Sequence, residues 1–232
     1  MRRTKRYILR VIPILLCCSE GFSMPPGYKG EPFKDKNHQS GAQVIPGVVE
    51  TALYDLGGEG VAYHDSDPQN EGAKINHGES KTKEGVVWKR CRPGTPEYIC
   101  FFRENEAVDL SYLRDITDFS HTKNLFVPAK DQQYLGWQED GEWTNYTVNV
   151  KAAGTYTIKA LYSNKNLVVN FSLDGKPAAA CKLPVDTGSM HHWNKADCGE
   201  ITFPKAGLQL LTIYEKTGIN LASFEFVRKS AK

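Results

Sequence analysis

The sequence has no stretch of ten or more residues with the three-to-four spacing of an amphipathic helix, and methionine occurs only three times in 232 residues. Helical bundles and folds that alternate strands with helices are therefore excluded. No Cys-x-x-Cys or His-x-x-x-His spacing is present, so nothing points to a zinc site. Gly-x-Ser-x-Gly, His-Glu-x-x-His and phosphate-cradling glycine loops are also missing, which removes the common hydrolase and nucleotide-binding signatures. An excess of one charge is lacking too. The net charge is only +2, and residues 1–23 hold five Lys/Arg against one Glu, so the remainder comes to about −2. Nucleic acid is not expected as a partner.

The first residues read as a targeting segment. Arg2, Arg3, Lys5 and Arg6 precede a mostly apolar Ile8 to Leu16, and Gly21 and Ser23 supply small residues before Met24. This layout predicts a secretory signal peptide over 1–23, too short and interrupted to span a membrane. Export to the medium, periplasm or cell surface follows. Lipid attachment at Cys17 or Cys18 is the less favoured reading, because Leu16 or Cys17 stands where a small residue is wanted. Residues 24–44 are rich in Pro, Gly and polar groups and read as a flexible leader. Four cysteines remain after residue 23: Cys91, Cys100, Cys181 and Cys198. An even number in an exported chain favours disulfides. Proximity suggests Cys91–Cys100 and Cys181–Cys198, with two other pairings open.

From Ile45 onward short apolar runs alternate with turn signals. The strongest segment runs from Tyr134 to Tyr162. Tyr146, Val148 and Val150 recur at every second position, and Tyr156, Ile158, Ala160 and Tyr162 do so again after the turn at Ala152 to Gly154. A period of two puts one face of each strand in a core. Further strands are predicted at 48–53, 86–88, 107–110, 168–173, 199–203, 208–214 and 222–227. Leu173-Asp-Gly-Lys176 and Lys205-Ala-Gly207 mark turns. The expected fold is all-β, one β-sandwich over 45–228 with an insertion at about 76–105.

The wording of five segments, in order, resembles carbohydrate-binding module family 6. They are Ile45 to Asp65, Gly136 to Val150, Ala153 to Tyr156, Asp174-Gly175 and Gly218 to Phe226. The resemblance implies a jelly-roll sandwich that binds polysaccharide or oligosaccharide without cleaving it, alone or beside a separate glycan-degrading enzyme. It implies a cleft at the loop end, where aromatic faces pack on sugar C–H faces and an amide serves the hydroxyls. Tyr63, followed by His64, matches the first aromatic position and Asn220 the amide. Met190 stands where a stacking Trp is usual, and Trp193 matches a second Trp that belongs to the sandwich wall. His191, His192 or Trp88 are then candidates to replace the missing platform. The family's structural calcium is not expected, since Glu50 is kept but Ala52 and Ala222 replace two carboxylates. No other cofactor or metal is implied.

Trp137 and Trp143 are assigned to the core or its edge, or else to a second sugar platform if exposed on a sheet face. Glu139, Asp140 and Glu142 lie beside a turn, where acidic residues are ordinary, so catalysis is not expected. Two alternatives stand behind glycan binding: an adhesion or structural sandwich that lost its cleft, and a jelly-roll glycan-cleaving enzyme.

Overall fold

The computed structural model describes residues 24–38, 41–73, 79–81, 87–89, 95–113 and 123–230, with backbone alone at 79–81 and 87–89. Residues 1–23, read from the sequence as a signal peptide, and Cys91 lie outside the described residues, as does the side chain of Trp88. Alternating apolar positions produce fourteen strands among the described residues. They are β1 (Gln43–Ile45), β2 (Gly47–Glu50), β3 (Tyr63–His64), β4 (Glu79–Lys81), β5 (Val87–Lys89), β6 (Leu110–Tyr112) and β7 (Gln133–Leu135). Then come β8 (Trp143–Val150), β9 (Gly154–Asn164), β10 (Val168–Leu173), β11 (Lys176–Lys182), β12 (Trp193–Phe203), β13 (Gly207–Tyr214) and β14 (Ile219–Arg228). One sheet has the order β1-β8-β13-β10-β11, with β3 also on β8. The other runs β12-β9-β14-β7-β6, with β2 also on β14, and β4 and β5 form a separate pair. The two six-stranded sheets make the expected jelly-roll sandwich.

The core lies between them. Tyr146, Val148 and Val150 face Tyr156, Ile158, Ala160 and Tyr162, all of them buried. Phe171 of β10 meets Phe224 of β14 edge-on at 5.0 Å between ring centres, and Phe203 meets Tyr156 and Phe226 the same way. Such edge-to-face pairs contribute about 0.5–1.5 kcal/mol each beyond burial. The Asp174-Gly175 turn has φ of +49° and +76°, the geometry of a two-residue hairpin that closes β10 onto β11. Strand β11 was not among the expected strands, because Lys176-Pro-Ala-Ala-Ala180 has little β-propensity. Its ladder to β10 and its position at the sheet edge supply what propensity does not.

The Cys181–Cys198 disulfide is formed and joins β11 to β12, the edge strands of opposite sheets. The other suggested pairing includes Cys91 and so lies outside the described residues. Residues 24–38 do not behave as the free leader expected of their composition. Tyr28 donates its hydroxyl to Asp55 at 2.7 Å, and Glu31 and Leu56 exchange two backbone hydrogen bonds. The Arg103 guanidinium sits between the rings of Phe33 and Tyr54. Asp55 and Leu56, together with Arg103 of the insertion, thus hold a segment whose Pro and Gly content alone predicts freedom.

Candidate functional site

Sheet register decides which of the candidate residues reach solvent. In β3, Tyr63 pairs with Thr144 and His64 with Trp143. Neighbours along a strand point to opposite faces. Tyr63 therefore points inward: it is 5 % exposed and packs edge-on against Tyr54 at 5.5 Å. A ring with no open face offers none to a pyranose, and Tyr63 is corrected from platform to core. His64 points outward, its Nδ1 2.6 Å from Glu59 Oε1, which raises its pKa, and its ring lies against Trp143.

Following that outward register across the sheet gives a row. His64 pairs with Trp143, Trp143 with Tyr214, Tyr214 with Asn170, and Asn170 with Ala180. Directly paired residues of antiparallel strands share a face, so five strands present these side chains side by side. Tyr214 is 39 % exposed, Asn170 is exposed and Trp143 is half-buried. A groove of about 730 Å³ runs along one side of the row, lined by Asn170, Pro177, Ala178, Ala180, Tyr214 and Lys216 among others. Lys216 is held by Asp140 at 3.3 Å.

A second group gathers at the loop end. Asn220 donates its amide to the Met190 carbonyl at 2.7 Å, and the same carbonyl accepts the Ser163 hydroxyl at 2.6 Å. Asn220 is only 5 % exposed. Its Oδ1 lies so near Gly136 that a side chain there would meet it at 3.1 Å. The next residue, Trp137, is 41 % exposed and takes φ of +52°, a left-handed conformation that side-chain-bearing residues rarely adopt. Met190 and His191 are half-buried beside this loop, with the Met190 sulfur 3.6 Å from the Asn164 amide. His192 is buried and holds the Thr187 carbonyl through Nδ1 at 2.9 Å. Trp193 is fully buried against Tyr134 on the outer face of the second sheet, so it cannot stack on a sugar. That removes it from the site and agrees with its place in the sandwich wall. The structure therefore brings Met190, His191 and Asn220 together and adds Trp137, which the sequence assigns to the core or its edge, or to a second platform if exposed on a sheet face, and which here is exposed in a loop.

Carboxyls collect beneath the same end. Asp109, Glu142 and Glu215 are buried and Asp65 is half-buried. Glu142 accepts the Ser66 hydroxyl at 2.7 Å and the Glu139 amide at 2.8 Å. Burial, followed by repulsion from neighbouring carboxylates, pushes Asp65 up to about 7 and Asp109 up to about 8. Burial also lifts Glu215 well above the usual carboxylate range. Among the described residues, no three His, Cys, Asp or Glu side chains are placed to hold a metal ion. Glu50 accepts the Gln132 amide at 2.6 Å, and Ala52 and Ala222 are buried.

The two-sheet sandwich thus carries an open aromatic row on one face and an exposed tryptophan at its loop end. Residues 117–228, just under half of the chain, match the model of the carbohydrate binding module (family 6), the family that the sequence resembles. The match begins after the 45–65 phrase, which lies outside it. No curated protein matches the chain. Solved structures similar to it include a carbohydrate binding module of Cellvibrio mixtus lichenase 5A in complex with cellotriose, 20% identical, with 43% of this chain and 79% of that one covered and a TM-score of 0.37. A Clostridium stercorarium module in complex with cellobiose is 12% identical, with 82% and 99% covered and a TM-score of 0.41. A β-1,3-glucan binding module from Bacillus halodurans is 16% identical, with 41% and 76% covered and a TM-score of 0.34.

Proposed function

We propose that this chain is a non-catalytic glycan-binding module whose main binding surface is the open face of the first sheet. The observation that carries this is the cross-strand row of His64, Trp143, Tyr214 and Asn170 beside a groove. Strands lie about 4.8 Å apart, so successive outward side chains meet a sugar chain laid across them at intervals close to one ring. Aromatic faces pack on sugar C–H faces, while the Asn170 amide and Tyr214 hydroxyl give and take hydrogen bonds. The loop end around Trp137, Met190 and Asn220 is a second, smaller contact. Its aromatic is single, and one of the two Asn220 amide hydrogens is already given to the Met190 carbonyl.

The carboxyls do not argue for hydrolysis. Glu142 and Glu215 both line the groove, but they are buried neighbours, the Glu215 amide donating to the Glu142 carbonyl at 2.9 Å, so they sit side by side and not across it, and the Glu142 side chain is held by Ser66 and the Glu139 amide. Export is part of the same proposal. It is supported by the layout of residues 1–23 and by a disulfide, which persists in oxidising compartments. No helix among the described residues is long and apolar enough to cross a membrane. A separate glycan-degrading enzyme remains the partner class that the family resemblance suggests.

Affinity electrophoresis in gels containing hydroxyethylcellulose, xylan or β-1,3-glucan tests the proposal. Retardation of the protein by at least one of them is expected, with Tyr214→Ala abolishing most of it. Unretarded migration in all three, or retardation indifferent to Tyr214→Ala and Trp143→Ala together, refutes it.

A further inference from the structure

The far wall of the groove is strand β11, and its position depends on something outside its own sheet. Ala178, Ala179 and Ala180 line the groove there. Alanine side chains reach little, so the wall stands where its backbone stands. On one side β11 has the ladder to β10, which slips register between Phe171 and Ser172. On its other side no strand of its own sheet lies among the described residues. What adjoins it is β12 of the opposite sheet. The Cys181–Cys198 disulfide crosses that gap directly beside Ala180. Gly199, where β12 slips register against β9, closes it further: a Cβ there would lie 2.6 Å from the Ala180 carbonyl oxygen. Two neighbouring positions of β12 thus fix the edge strand, one by a covalent bond and one by the absence of a side chain.

We infer that Cys181–Cys198 and Gly199 are positioning residues that set the width of the glycan groove by fixing its outer wall. This rests on the reading that the groove binds glycan. Neither element contacts the sugar; both act through Ala178 to Ala180. Edge backbone freed of the staple pairs only with β10, and a binding wall displaced by about an ångström loses much of its complementarity.

Two variants of the full chain test this, Cys181→Ala/Cys198→Ala and Gly199→Ala, with Ile45→Val, a buried position on β1 at the opposite edge of the sheet from β11, as a core change that also lowers stability. Amide hydrogen exchange is followed at residues 178–180, and affinity for the glycan that retards the wild type is measured where near-ultraviolet circular dichroism shows every variant folded. In the disulfide variant, exchange at 178–180 is expected to quicken by about tenfold or more while β8 and β13 keep their protection. Affinity is expected to fall by about fivefold or more in both wall variants and to hold in Ile45→Val. Unchanged exchange at 178–180 overturns the inference, and so does unchanged affinity alongside quickened exchange. If the wild type is retained by no glycan, the proposed function fails, and the exchange measurement still decides whether the disulfide positions the wall.

Discussion

Trp143 and Trp193 each begin a strand, β8 in one sheet and β12 in the other, and each is turned away from the main core. They end in opposite circumstances. Trp193 is fully buried in a small second cluster with Leu113, Tyr134, Leu161 and Ala222. A strap lies over it: Leu125 and Phe126 both donate their amides to the Trp193 carbonyl, and Trp193 donates its own to the Asn124 side chain. Trp143 stays half-buried, with His64 and Tyr214 on either side of it. The comparison teaches that an outward aromatic acquires its role from what the chain lays across it. Sheet period alone does not distinguish a covered wall from an open platform.

Removing each ring separates the two roles. Trp193→Ala leaves a large void under the strap and is expected to cost about 3–5 kcal/mol of stability. Chemical denaturation reads this, and glycan affinity measured where the variant is folded should not move. Tyr214→Ala and Trp143→Ala should do the reverse. Each is expected to lose about 2 kcal/mol of binding, the scale of an aromatic hot spot, while unfolding free energy shifts by less than about 1 kcal/mol. A Trp193 variant that keeps its stability, or a Tyr214 variant that loses stability and not binding, breaks the comparison.

Acidity gives a third separation, because the open face ends above Asp65, Asp109, Glu142 and Glu215. Asp109 and Asp65 bind protons more tightly folded than unfolded, with folded pKa values of about 8 and about 7 against the ordinary 3.8. Stability therefore falls wherever the folded chain holds more protons than the unfolded one. Their contribution is fully present below about pH 4 and is lost as pH rises through 7 and then 8. A drop of a few degrees in Tm between pH 5 and 9 is expected, and Asp109→Asn should remove most of it. A Tm that climbs over this range, or the same drop in Asp109→Asn, contradicts the reading of the cluster.

Much of the fold is legible in the sequence because its strands are half-buried. Tyr146, Val148 and Val150 carry the period of two without interruption, and Asp174-Gly175 names its turn. Strand β11 is not legible, since its alanines owe their place to the β10 ladder and the disulfide. The site is harder still. Tyr63 and His64 sit in one phrase, and only the register with Thr144 and Trp143 shows which is inside. One signal was available: with Tyr146, Val148 and Val150 inward, the same alternation puts Trp143 and Asn145 outward. Asn145 is covered, giving its amide to the Val61 carbonyl, whereas Trp143 is not fully covered, and nothing local in the sequence records that difference.

The smallest expected effect lies at the loop end, where Trp137 is the exposed aromatic of the proposed second contact. Its left-handed backbone costs a side-chain-bearing residue about 1–2 kcal/mol relative to its ordinary conformation. Glycine at 137 escapes that strain, although it also gains freedom in the unfolded chain. Trp137→Gly is therefore expected to be more stable than Trp137→Ala by about 0.5–1 kcal/mol, measured by urea denaturation. Both lose the same exposed ring, so both should weaken glycan binding equally, by about threefold or less, because the sheet face supplies most of the contact. Equal stabilities would show that position 137 is unstrained. A loss at Trp137 exceeding that at Tyr214 would move the main site from the sheet face to the loop end.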